Sequence, residues 1–128
     1  MEDFVNFKLA QKLKEKGFSL EKTEIYGKFD SDGLFHPQLY FNYIETMDCD
    51  EIIAPTISQV LKWLRKDKLI LIGLSPMQEY DVEETIEWCA TVYKADKQGG
   101  LSLKEEFYYD SYEHAALAGI EYVIDNLI

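Results

Sequence analysis

At 128 residues, with 47 % apolar and 14 % aromatic content, the chain is long enough to bury a core without staples and too apolar for disorder, despite a net charge of −11. The two cysteines, Cys49 and Cys89, have no CxxC partner and no histidine at zinc-finger spacing, which excludes a disulfide framework and a metal knuckle and predicts reduced thiols in a cytoplasmic protein. Charge is uneven: residues 1–29 carry six lysines against five carboxylates (+1), and residues 30–128 carry seven cations against nineteen carboxylates (−12), a field that opposes direct nucleic-acid binding.

The opening "MEDFVNFKLAQKLKEKGF" starts acidic and turns lysine-rich, the reverse of a signal peptide, and no stretch reaches the apolar length of a membrane span. Within it, Val5, Leu9, Ala10 and Leu13 share one face of a helix predicted over 4–16, with Asp3 as N-cap. Gly17 sits where a left-handed C′ residue belongs, and Leu13 and Phe18 then take the two contacting positions of a Schellman ending.

Residues 23–44 read as a hairpin, "TEIYGKF" and "LFHPQLYFNYI" around the turn "DSDG". Pro37 cannot donate to a ladder, so the second strand must be an edge, begin later or carry a bulge. In "APTISQVLKWLR", Thr56 and Gln59 form a capping box, and Ile57, Val60, Leu61 and Leu64 a core stripe. Trp63 lies off that stripe and is expected partly exposed or at an interface. The basic cluster Lys62, Arg65, Lys66 and Lys68 ends the same helix, where cations favour the dipole, and it is too small for a nucleic-acid patch.

"LILIGL" then reads as a buried strand. "TIEWCATVYKA" alternates, with Ile86, Trp88, Ala90 and Val92 on one face and Glu87, Cys89, Thr91 and Tyr93 on the other, and the two strands pair antiparallel across "SPMQEYDVEE". A Gly99-Gly100 turn leads to a third strand, "LSLKEEFYY". The terminal helix over 111–127 is predicted to be capped by Asp110 with Glu113 reaching back, and to bury Ala116, Ile120, Val123 and Leu127. Small residues at 115, 116, 118 and 119 allow close approach to a sheet. The predicted whole is a single α+β domain, 1–128, in which an antiparallel sheet of three to five strands is covered on one face by two helices, with the N-terminal helix at the edge.

Candidate chemistry is sparse. His114 beside carboxylates has the makings of a general base, yet no nucleophile is tied to it, and a solvated first-turn histidine is the cheaper reading. His36 beside Pro37 has equally little around it. "DSDG" fails as an EF-hand, since Gly33 stands at position 4 of the loop and Phe41 at position 12. The acidic runs "ETMDCDE" and "EYDVEE" bring Asp48, Asp50, Glu51, Asp81, Glu83 and Glu84 without diagnostic ligand spacing, so they read as solvated charge rather than a metal site. Walker A, GxGxxG, HExxH and GxSxG motifs do not occur, and no cofactor is expected.

Tyrosine is in excess, nine of 128, with Tyr26, Tyr40, Tyr43, Tyr80, Tyr93, Tyr108, Tyr109 and Tyr112 in or beside strands and loops. Tyrosine supplies contact area at low entropic cost. The expected function is a non-catalytic protein-binding module that meets a basic partner through Tyr40, Tyr43, Asp48, Asp50, Glu51, Trp63, Asp81, Glu83 and Glu84, without membrane or nucleic-acid contact. The alternative is a small hydrolase or metal-dependent enzyme using His36 or His114 with the carboxylates of 45–51.

The succession "EKGF" (15–18), a tyrosine-rich hairpin, "APTISQVLKWLR" (54–65), a short strand pair and "YDSYEHAALAGI" (109–120) resembles a family of small uncharacterised proteins from Bacteroides-type gut bacteria and their phages or mobile elements. The resemblance covers most of the chain and implies an accessory role in a phage or host interaction, with no catalytic residue to carry over.

Overall fold

A computed structural model describes residues 4–19, 25–41, 51–78 and 86–128. In chain order the elements are α1 (Phe7–Glu15), β1 (Ile25–Phe29), β2 (Phe35–Phe41), β3 (Ile52–Ala54), α2 (Ile57–Asp67), β4 (Ile70–Gln78), β5 (Ile86–Ala95), β6 (Leu101–Tyr109) and α3 (Tyr112–Asn126). The class is α+β, as expected, and the strands are shared between two antiparallel three-stranded sheets, ordered β2-β1-β3 and β4-β5-β6. The chain divides into two compact units, Met1–Val60 and Leu61–Ile128, with the boundary inside α2.

In the first unit α1 packs against β3, the edge strand of its sheet, which places the N-terminal helix at the edge. Leu9, Ala10 and Leu13 are its buried face. Its N-cap is Asn6 rather than Asp3: the Asn6 side-chain oxygen accepts from the Leu9 amide at 2.9 Å, so the helix starts later than the apolar pattern implied. Its end follows the sequence. Gly17 has φ +82°, the Phe18 amide donates to the Leu13 carbonyl at 3.0 Å and the Gly17 amide to Lys14 at 3.2 Å, the two bonds of a Schellman motif.

The hairpin β1–β2 turns at Asp30 to Gly33, where the glycine takes φ +80°. Tyr26 faces Tyr40 and Lys28 faces His36, so extra residues accumulate on β2 beside Pro37. β2 is both an edge strand and bulged, which resolves how the ladder tolerates the proline. Phe4, Phe7, Phe29 and Phe35 meet in a ring cluster with centroids 5.2–5.3 Å apart. The Val5 amide donates to the Pro55 carbonyl at 3.0 Å and ties the N-terminal strand segment to the approach of α2.

The α2 capping box forms as read: the Thr56 amide donates to Gln59 Oε1 at 2.9 Å and the Gln59 amide to Thr56 Oγ1 at 3.2 Å. Ile57, Val60 and Leu64 are buried, whereas Leu61 is only half-buried. The expectation that Trp63 is partly exposed does not hold: it is 7 % exposed. At roughly 100° per residue, Trp63 lies about 60° from Val60 on the side away from Leu61, so the buried stripe is rotated toward the indole. The Lys68 ammonium, 5.4 Å from the ring centroid, covers it further.

In the second unit β4 pairs with β5 from Ile70↔Lys94 to Gln78↔Ile86, and β5 with β6 from Trp88↔Tyr109 to Ala95↔Leu101. β4 is longer than the apolar run predicted, taking in Ser75 to Gln78, and it is buried on one face only: Ile70 and Ile72 point inward while Leu71 is exposed. Pro76 is accommodated because β4 is an edge strand. The β5–β6 turn is held by Asp96, whose Oδ1 accepts from the Gln98 and Gly100 amides, both at 2.8 Å, with Gly99 at φ +86°. α3 packs on all three strands and buries Ala115, Ala116, Gly119, Ile120, Val123 and Ile124. Leu127 is not in that stripe but forms the C-cap. The N-cap is Ser111, one residue after the predicted Asp110; its Oγ accepts from the His114 amide at 3.2 Å. Among the described residues no helix is long and apolar enough to cross a membrane.

Two substitutions probe this framework. Thr56→Ala, which removes half of the capping box at a buried position, is expected to cost about 1 kcal/mol, and Thr56→Ser to restore most of it, in urea denaturation. A Cβ at Gly119 would lie 3.2 Å from Ile72 Cγ2 and 3.7 Å from Ala90 Cβ. Gly119→Val, with two further methyl groups directed at the sheet, is therefore expected to destabilise by about 1–3 kcal/mol in the same assay.

Candidate functional site: the outer face of the second sheet

The alternation of β5 decides where the site lies. Ala90 and Val92 are fully buried beneath α3, so Cys89, Thr91 and Tyr93 project from the opposite, outer face. Ladder pairing extends this face sideways into cross-strand rows: Leu71, Tyr93 and Leu103; Gly73, Thr91 and Glu106; Ser75, Cys89 and Tyr108. Beyond the first row the Ala95 amide donates to the Leu69 carbonyl at 2.9 Å and Ala95 faces Leu101, which brings two more leucines to that end of the sheet.

Because α3 covers the inner face alone, these side chains keep their solvent: Leu101 is 57 % exposed, Tyr108 52 %, Leu103 51 % and Leu69 50 %, with Met77 and Leu71 also exposed. Single exposed leucines are ordinary, but four in two adjoining rows of one face are not, and Tyr108 and Met77 stand exposed farther along it. Leu69 is also the one described non-glycine residue at positive φ, +57°. That left-handed backbone costs a leucine about 1–2 kcal/mol. In the middle row Thr91 Oγ1 reaches the Gly73 carbonyl at 3.4 Å, and a Cβ at Gly73 would come within 2.9 Å of that hydroxyl, so glycine lets Thr91 lie across the strand.

Tyr108 is the polar landmark of the face. Its hydroxyl donates to Glu106 Oε2 at 3.0 Å, and its ladder neighbour is Cys89, a buried free cysteine. The hydrogen bond to Glu106, reinforced by the negative charge of that carboxylate and by the neighbouring Cys89, pushes the phenol up to about 12. Tyr108 therefore presents a neutral, oriented hydroxyl beside a carboxylate. On the inner face the aromatic residues are taken up by α3: Trp88 meets Tyr112 edge-on at 5.3 Å and Phe107 meets Tyr122 at 5.6 Å.

The residues singled out in the sequence fall elsewhere. Tyr43, Asp48, Asp50, Asp81, Glu83 and Glu84 lie outside the described residues, and Tyr40 is placed by its backbone, opposite Tyr26. Glu51, just before β3, forms an ion pair with Lys28 of β1, both side chains largely buried. Trp63 is buried, as above. His36 Nε2 lies 2.8 Å from Asp30 Oδ2, while Asp30 Oδ1 accepts from the Asp32 and Leu34 amides at 2.9 and 3.0 Å. The His36 contact, with those backbone bonds, holds the Asp30 carboxyl below its usual value, and the arrangement clasps the hairpin turn. His114 Nδ1 is 3.4 Å from Asp110 Oδ1 and its ring meets the edge of Tyr109, an exposed, loosely held contact on the first turn of α3. His36 and His114 belong to different units, and among the described residues each imidazole meets an aspartate rather than a nucleophile, the Ser111 hydroxyl bonding only the His114 backbone amide. No group of three or more His, Cys, Asp or Glu side chains among the described residues is placed to hold a metal ion.

Sequence reasoning missed Leu69, Leu71, Leu101 and Leu103. The alternation of β5 was legible, but the rows exist only once β4 and β6 are set in register on either side of it. Comparison with known proteins finds no family model, no curated protein and no solved structure that matches the chain.

Glu106 is the main cause of the raised Tyr108 ionisation, so Glu106→Gln is expected to bring that phenol down from about 12 toward the ordinary 10. The check is an ultraviolet pH titration in which the difference between each protein and its Tyr108→Phe counterpart isolates this one tyrosine; an unchanged midpoint refutes the assignment.

Proposed function

We propose that the protein is a non-catalytic protein-binding module. The observation that carries this reading is the outer face of β4-β5-β6, where leucines, Met77 and Tyr108 stand exposed on and beside the two flanking strands, opposite the face that α3 covers. Apolar and tyrosine side chains around a small number of polar groups are the composition of an interface core. Water contact of this much apolar surface is a standing cost that a partner would relieve at about 25 cal/mol per Å².

Electrostatics favour a basic partner. A chain of net charge −11 attracts cationic surfaces over a Debye length and repels nucleic acid. The acidic, tyrosine-bearing surface of this reading consists of Tyr93, Tyr108, Glu87 and Glu106, other residues than those singled out from the sequence. The resemblance to proteins of Bacteroides-type bacteria and their phages is compatible with an accessory role of this kind, in which a host protein is the object of binding.

Affinity capture from a bacterial lysate tests the proposal, with the wild-type chain and a Leu71→Gln/Leu103→Gln variant as parallel baits at low and high salt. The variant alters exposed side chains, and circular dichroism verifies that it is folded. Proteins retained by the wild type at low salt and lost on the variant are the expected outcome. Identical sets on the two baits refute this face as the binding surface.

A further inference from the structure

Resting on the reading of the outer face as a protein-binding surface, we infer that its occupant is a cationic amphipathic α-helix of a partner protein. Three observations select this occupant. The first is dimension: three strands about 4.8 Å apart present a face whose width is close to the 10–12 Å diameter of a helix, and strands of nine or ten residues run about 30 Å along it. Apolar side chains along one side of such a helix, repeating every three or four residues, can seat among Leu71, Tyr93, Leu101 and Leu103.

The second observation disfavours an added strand. β6 is the open edge beside the leucine rows, but its middle carries Lys104, Glu105 and Glu106, and the β5–β6 register shifts between Val92 and Tyr93 so that Lys104 is the extra residue. A bulge and a run of charges at mid-strand are the features that blunt an edge against further pairing. On the other edge Pro76 lacks the amide that a new ladder would need.

The third is charge. The ionised side chains at the register positions of this face are Glu87, opposite Met77, and Glu106, opposite Thr91. A second copy of the chain laid face to face would bring these carboxylates together and add its own −11 to the field. A helix with lysine or arginine flanking its apolar stripe supplies the opposite charge to both while its leucine-type side chains fill the rows.

The test uses fluorescence anisotropy with synthetic helices as probes: a peptide of about 14 residues, four turns, with leucine on one face and lysine on the other; its glutamate counterpart; and a lysine peptide of the same composition with the leucines dispersed. The leucine/lysine helix is expected to bind at least about tenfold more tightly than either control, since only it meets both the apolar rows and the carboxylates. Leu71→Gln/Leu103→Gln is expected to weaken that helix about tenfold or more, Glu106→Gln to weaken it about threefold and flatten its salt dependence, and Leu34→Gln, at an exposed leucine of the first unit, to leave it unchanged. Equal binding of the two lysine peptides, or equal affinity for wild type and double variant, overturns the inference. Sedimentation of the chain alone supplies a separate outcome: a dimer abolished by Leu71→Gln/Leu103→Gln would make a second copy the occupant. In either case the binding-module reading stands or falls on the lysate capture alone.

Discussion

The contact of α3 with its sheet at Gly119 is the constraint from which the second unit follows. With no side chain there, the helix backbone comes down onto Ile72 and Ala90, and Ala115, Ala116, Ile120 and Val123 are buried along the same helix. One helix of fifteen residues covers one side of three strands, and the period-two geometry of those strands then determines which side chains are left for solvent. The exposure of Leu71, Leu103 and Tyr108 is the counterpart of the burial of Ile72, Ala90 and Val92. A large helix residue at 119 would lift α3 and loosen the inner face that orders the outer one.

In both units the polar side chains beside turns and helix starts serve the backbone or their own neighbours. Asp30 satisfies two turn amides and holds His36; Asp96 does the same for the β5–β6 turn; Thr56, Gln59, Asn6 and Ser111 start helices. Glu51, just before β3, is matched with Lys28 of β1. Such uses share a physical origin: short helices and tight turns leave amides unsatisfied, and carboxylates, hydroxyls and amide side chains close at hand are the acceptors that satisfy them. Tyr108 and Glu106 differ, because their hydrogen bond lies on an exposed strand face and closes no turn or helix end.

What the sequence determined by itself was local. The Schellman ending at Gly17, the capping box at Thr56 and Gln59, the hairpin around "DSDG" and the alternation of β5 depend on residues within a few positions of one another, where side-chain type and spacing dictate backbone conformation. The N-caps were displaced by a small step for the same local reason. Asn6 and Ser111 are the caps, both in extended backbone at ψ 171° and 153° with side-chain oxygens accepting from amides three residues on.

Tertiary structure decided the rest. Helical spacing named Ile57, Val60, Leu61 and Leu64 as one stripe, but burial is set by what the helix meets, and the buried arc is turned toward Trp63 and away from Leu61. Two sheets of three strands rather than one larger sheet, and the assembly of Leu71, Tyr93 and Leu103 into a row, depend on pairings between residues far apart in the chain. Each leucine taken alone looks like a core residue, since hydrophobicity favours burial wherever a surface is offered. Only the placement of α3 on the opposite face leaves these without one, and that placement is a property of long-range packing that no window of sequence contains.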